Sequence, residues 1–125
     1  MLTLLKAKVE LNKLVRDWRF WCGRIAEAAV AVLGSCEVYV FGSVVEGRAT
    51  GGSDVDVLIV ADRLPRSFRV RGRLKAEIEE KAGLPLYHPF EVHLVTRDEA
   101  EGNPIYRGAM DEGVRLNMGD SVACG

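Results

Sequence analysis

Between Phe41 and Val60 the chain reads FGSVVEGRATGGSDVDVLIV, and few folds accommodate that order of residues. A short apolar run, Glu37-Val38-Tyr39-Val40-Phe41, predicts a β-strand. It breaks at Gly42-Ser43, passes through a loop with glycines at 47, 51 and 52, and gives way to a second strand opening at Asp54-Val55-Asp56. Side chains alternate along a strand, so Asp54 and Asp56 share one side while Val55, Val57 and Ile59 share the other. Two neighbouring carboxylates on an apolar strand repel each other and resist desolvation. A divalent cation between them resolves the conflict, and hard oxygen ligands suit Mg²⁺, which commonly bridges carboxylates to substrate phosphates. Gly42 and Ser43 offer the complement: unobstructed backbone N–H groups and a hydroxyl, as a phosphate cradle needs.

The order Gly42-Ser43, three residues, Gly47, five residues, Ser53-Asp54-Val55-Asp56 resembles the signature of the DNA polymerase beta-like nucleotidyltransferase superfamily. It looks most like the minimal nucleotidyltransferases, small single-domain proteins of bacteria and archaea. The resemblance implies a mixed β-sheet with helices packed on one face, an α/β (α+β) fold, and transfer of a nucleoside monophosphate from an NTP, ATP foremost, to a hydroxyl with release of pyrophosphate. It further implies that Asp54, Asp56 and a third carboxylate hold one or two Mg²⁺ ions, and that Gly42 and Ser43, with Ser53, grip the β- and γ-phosphates. Glu91 matches the position of that third acid, where many relatives carry Asp, and is the residue placed to deprotonate the acceptor. One departure stands out: many relatives carry Ala-Arg just before the glycine matching Gly47, where this chain has Val45-Glu46. That removes a phosphate-facing cation, for which Arg48 is the substitute in this sequence.

Size sets the rest of the frame. A chain of 125 residues forms one domain that buries roughly two thirds of its unfolded surface. The expected division is an N-terminal helical segment over about 2–33, a catalytic core over about 36–96 and a short extension over 97–125. Apolar residues are 48% and charged residues 28%, the balance of a globular protein. A formal net charge of −1 implies no global attraction to nucleic acid or membrane. No apolar run reaches the roughly 18 residues of a membrane span, and the charged N-terminus lacks a secretory h-region. Cys22, Cys36 and Cys124 have no paired spacing, so neither a disulfide framework nor a zinc site is expected and the cytoplasm is the natural compartment. The absence of glutamine hints at a thermophilic source.

Along the chain, apolar residues at three- and four-residue steps predict helix from residue 2 to about 33, with Gly23 as a candidate break or close crossing. Trp18, Phe20 and Trp21 suit a core, but the surplus of apolar residues here predicts a homo-oligomer or a docked partner. Arg66 to about Ala82 reads as helix, although alternation over 68–74 also allows a short strand. Its first half is basic and its second acidic, against the helix dipole. This pattern fits a solvated face or, alternatively, a basic patch near the site for RNA or triphosphate. Phe90 to Val95 is the third strand, with Glu91 and His93 on one face; His93 is read as a polar neighbour of the site rather than a ligand. Thr96-Arg97-Asp98-Glu99 predicts a capping box, Pro104 a further helix start, Val114-Leu116 an edge strand, and the glycine-bearing tail from 117 a frayed end.

The acceptor is not accounted for by these segments. Minimal nucleotidyltransferases are often paired with a helical HEPN-type protein in systems that resemble toxin–antitoxin pairs, which implies that a partner presents it. The alternative from a different class is an inactive module of the same fold that neutralises such a partner by contact alone.

Overall fold

The computed structural model describes residues 4–48 and 54–116, with side chains from residue 8 onward. The elements run α1 (Leu4–Arg16), α2 (Trp18–Leu33), β1 (Cys36–Phe41), β2 (Val55–Ala61), α3 (Phe68–Lys81), β3 (Phe90–Thr96), α4 (Arg97–Glu101), α5 (Pro104–Glu112) and β4 (Val114–Leu116). Four strands form one mixed sheet in the order β3-β2-β1-β4. β1 is antiparallel to both its neighbours, and β2 and β3 are parallel, joined across α3. The mixed sheet and α+β class expected from the sequence are what the structure shows, but the helices do not keep to the one expected face: α4 and α5 pack on the other.

β2 occupies the middle of the sheet and explains its own composition. Of VDVLIVA every residue is buried except Asp56, because helices cover both faces of this strand and a strand covered on both faces is apolar without interruption. Val55, Val57 and Ile59 join Val38, Val40, Phe90 and Val92 against α2 and α3, the face anticipated from alternation. Leu58 and Val60 point the other way, into a smaller cluster with Tyr39, Val95, Ala100 and Ala109 from α4 and α5. Ile25, Leu58, Ile59 and Ile78 are wholly inaccessible, and each contributes about 1.5–3 kcal/mol of transfer free energy. Asp56 is the one gap in this packing, and the gap opens at the end of the sheet.

Local signals set the helix boundaries. Ser67 caps α3, accepting from the Val70 amide at 3.3 Å. At α4 the expected capping box forms, the Thr96 hydroxyl accepting from the Glu99 amide while the Glu99 carboxylate accepts from the Thr96 amide. Asn103 caps α5 with Pro104 in its first turn. The N-terminal helix interrupts at Asp17 rather than Gly23, which lies buried inside α2. Asp has poor helix propensity, and its side chain makes no capping bond here. Trp18 and Trp21 pack against the main core, while Phe20 stays 59% exposed. The expectation for the tail falls outside the described residues.

The polarity of the sheet relocates the basic half of α3. That helix follows the C-terminal end of β2, so its arginine-rich start lies at the opposite end of the sheet from Asp56. Arg71 donates to the Pro65 carbonyl at 2.7 Å and to the Glu99 carboxylate at 2.8 Å, tying α3 to the start of α4. The Thr96 amide and then the Arg71 guanidinium hold the Glu99 carboxyl below its usual range. A basic patch beside the carboxylates, one of the two readings of this charge run, is therefore not what the fold builds.

Candidate functional site

β1 ends, and β2 and β3 begin, at the same end of the sheet. The parallel register sets Asp56 directly beside Glu91 and Leu58 beside His93. In the antiparallel register on the other side, Phe41 stands opposite Asp56. Carboxylate oxygens of Asp56 and Glu91 and a ring nitrogen of His93 thereby converge within 4.8 Å of one another. Alternation along FEVHLV had put Glu91 and His93 on one face; the register decides that this is the face of Asp56.

His93 is held in place. Its ring lies 5.5 Å, centroid to centroid, from both Phe41 and Tyr106. Nε2 approaches Asp56 Oδ1 at 3.3 Å and Nδ1 approaches the Tyr106 hydroxyl at 3.2 Å. With its proton on Nε2, the ring donates to Asp56 and accepts from Tyr106. The histidine is thus more than a neighbour, since its nitrogen belongs to the converging donor set.

The Gly42 turn closes the third side. Gly42 has φ +90°, and a Cβ built on it would stand 2.6 Å from Asp56 Oδ2. Glycine is required here twice over, for a backbone conformation other residues rarely adopt and for the space the carboxylate fills. The amides of Val45 and Glu46 both donate to the Gly42 carbonyl at 3.2 Å, and that of Arg48 to the Ser43 carbonyl at 2.9 Å. These bonds curl residues 42–48 into a tight loop with the half-buried Ser43 near its start. The Arg48 guanidinium donates to the Glu46 carboxylate, so the substitute cation is paired with the acid that replaced the usual one.

Asp54 is exposed just ahead of β2, where the next amide, Val55, donates to the Pro89 carbonyl at 2.8 Å. It stands outside the converging group. Ser53 lies outside the described residues.

The donor chemistry fits a hard cation. Ligands about 2.1 Å from one Mg²⁺ can stand no more than about 4.2 Å apart, close to the separation already present. Asp56 and Glu91 supply the carboxylate oxygens that Mg²⁺ prefers; the His93 imidazole is the softer donor.

The family model for the nucleotidyltransferase domain matches residues 23–116, spanning Gly42, Asp56, Glu91 and His93. Among solved structures, a proposed nucleotidyltransferase is 33% identical, with a TM-score of 0.52, and the match covers 74% of this chain and 94% of that one. Another, a proposed nucleotidyltransferase from Sulfolobus solfataricus, is 17% identical with a TM-score of 0.52, covering 89% of this chain and 83% of its own, and speaks for the fold alone. No curated protein matches the chain.

Proposed function

The chain belongs to the nucleotidyltransferase domain family, and from that premise we propose that it transfers a nucleoside monophosphate from an NTP, ATP foremost, to a hydroxyl of a partner protein or RNA. The observation that carries this reading is the convergence of Asp56 and Glu91 against the Cβ-free surface of Gly42. Asp56 and Glu91, with Asp54, would hold one or two Mg²⁺ ions, which when bound stabilise charge on the attacking and leaving oxygens. The Gly42-Ser43 turn receives the β- and γ-phosphates through its own backbone and the Ser43 hydroxyl, with Ser53 as the further phosphate ligand. Glu91, the more exposed carboxylate, accepts the proton of the attacking hydroxyl. His93, seated between Phe41 and Tyr106, fixes the orientation of Asp56.

The acceptor we assign to a helical partner of the HEPN type, as in the toxin–antitoxin-like pairs that the sequence resembles. The exposed Val9 and Phe20 on the α1–α2 layer support docking by apolar contact, though a second copy of this chain would meet the same surface. No described helix is long and apolar enough to cross a membrane. The Glu46–Arg48 pair favours the second reading, neutralisation of the partner by contact alone. Incubation with labelled NTP, Mg²⁺ and the neighbouring gene product separates the two. Label on the partner is the expected result, and neutralisation without label establishes the contact-only module.

The turn offers its own test. Gly42→Ala should cost ~1–2 kcal/mol for the backbone conformation alone. The new Cβ must also displace the Asp56 carboxylate, so transfer should fall by about 10²-fold, the penalty of a misplacement near 1 Å. Melting temperature and labelled-nucleotide transfer, measured on the same preparation, check both effects. An unchanged transfer rate would mean that Asp56 does not act from this position.

A further inference from the structure

Beside the Gly42 turn the chain contains a cavity of about 200 Å³. Its walls come from the end of β1 and the following loop (Phe41, Gly42, Val45) and from α5 (Ile105, Gly108), with Glu112 also in the lining. We propose that this cavity receives the base of the nucleotide, and that Glu112 selects bases carrying an amino group on their hydrogen-bonding edge. The proposal rests on the nucleotidyltransferase reading and adds to it the place and the preference of the base.

Position comes first. Gly42 lines the cavity and also abuts Asp56 Oδ2, so one molecule with its phosphates on the loop can lay its base in the cavity. The walls suit a flat aromatic group: Val45, Ile105 and Phe41 supply apolar surface, and Ile105 is 67% exposed. The lining is mixed, with these apolar side chains beside two carboxylates and exposed backbone. Phosphate does not fit here, because the charged groups in the lining, Glu46 and Glu112, are both acids. A carboxylate only accepts hydrogen bonds. The amino groups of adenine, cytosine and guanine satisfy it, whereas the carbonyl oxygens flanking the single N–H of uracil face it with like polarity.

Gly108 supplies an independent sign. It sits in the interior of α5, where glycine is a poor helix former. A Cβ there would meet nothing within 4 Å, so packing does not require glycine. Gly108 lines the cavity, and a larger side chain there is expected to narrow it.

The experiment is calorimetric titration with ATP, GTP, CTP, UTP and inorganic tripolyphosphate, using Ca²⁺ in place of Mg²⁺ to limit turnover. Wild type is expected to bind the three amino-bearing nucleotides about tenfold or more tightly than UTP or tripolyphosphate, the scale of one satisfied polar contact. Gly108→Leu should weaken ATP by at least about tenfold, leave tripolyphosphate unchanged and leave the melting temperature equal or higher. Glu112→Gln should bring ATP and UTP to within about twofold of each other. If nucleotides bind no better than tripolyphosphate, or Gly108→Leu leaves ATP affinity intact, the base lies elsewhere and the cavity assignment fails while the transferase reading stands. If neither tripolyphosphate nor any nucleotide binds, the transferase reading fails and this assignment with it.

Discussion

Asp56→Asn is expected to lower Mg²⁺-dependent transfer by roughly 10³-fold, the cost of removing one charge-stabilising group from a preorganised site, without lowering metal-free stability. Asp56 is half-buried and stands beside Glu91 in the parallel register, so neutralising it relieves repulsion between two carboxylates. The Asn Oδ1 still accepts from His93 Nε2, the contact now at 3.3 Å, and the packing of Phe41 and Tyr106 about the ring is untouched. Thermal melts without metal and transfer assays at saturating Mg²⁺ read the two effects separately. A melting temperature several degrees below wild type would make Asp56 a structural residue. Asp54→Asn is the companion variant. Asp54 is exposed ahead of β2, so its replacement should leave the melt unchanged, and a comparable loss of transfer would bring it into the metal set. Full transfer by Asp54→Asn would confine that set to Asp56 and Glu91.

Much of this site was legible because it is written in local periodicities. The run VDVLIVA is apolar throughout except at Asp56, and a lone charge in a strand buried on both faces can be maintained only by a compensating partner. Gly42 was legible for a related reason: a strand stopping at Gly-Ser announces a backbone that side chains would obstruct, and the Asp56 carboxylate is what a Cβ would meet. The capping box at Thr96 and Glu99 is likewise a short-range device, complete within four residues.

What the sequence did not disclose depends on direction and register. The charge reversal along α3 is plain in the sequence, but its position relative to the site follows from β2 and β3 running parallel with α3 between them. Only then does Arg71 fall beside Glu99, at the far end from Asp56. The break at Asp17 was missed because Gly23 is the more conspicuous residue, and its burial within α2 outweighs its low helix propensity. His93 shows the same limit. Alternation gives it the same face as Glu91, and only the register of β3 on β2, with Phe41 and Tyr106 closing around the ring, brings its nitrogen to Asp56.

Glu91 and His93 now share a donor set, and their roles separate by chemistry. Glu91 is exposed and makes no hydrogen bond to another side chain among the described residues, whereas both nitrogens of His93 are engaged. A carboxylate with a free lone pair can take a proton from an attacking hydroxyl and can offset the charge of Mg²⁺. An imidazole engaged at both nitrogens serves instead by orienting Asp56. Glu91→Gln is therefore expected to lower transfer by at least about 10²-fold, the low end of a general-base contribution. His93→Ala should cost about tenfold, as for a residue that orients a ligand from behind. Tyr106→Phe, which removes only the hydroxyl on Nδ1, should move activity in the same direction by less. Repeating the three variants with Mn²⁺ provides the control, since manganese accepts nitrogen more readily than magnesium does. If His93→Ala proves more damaging than Glu91→Gln in Mg²⁺, and the gap widens in Mn²⁺, the histidine is a direct metal ligand and the roles assigned to the two residues exchange.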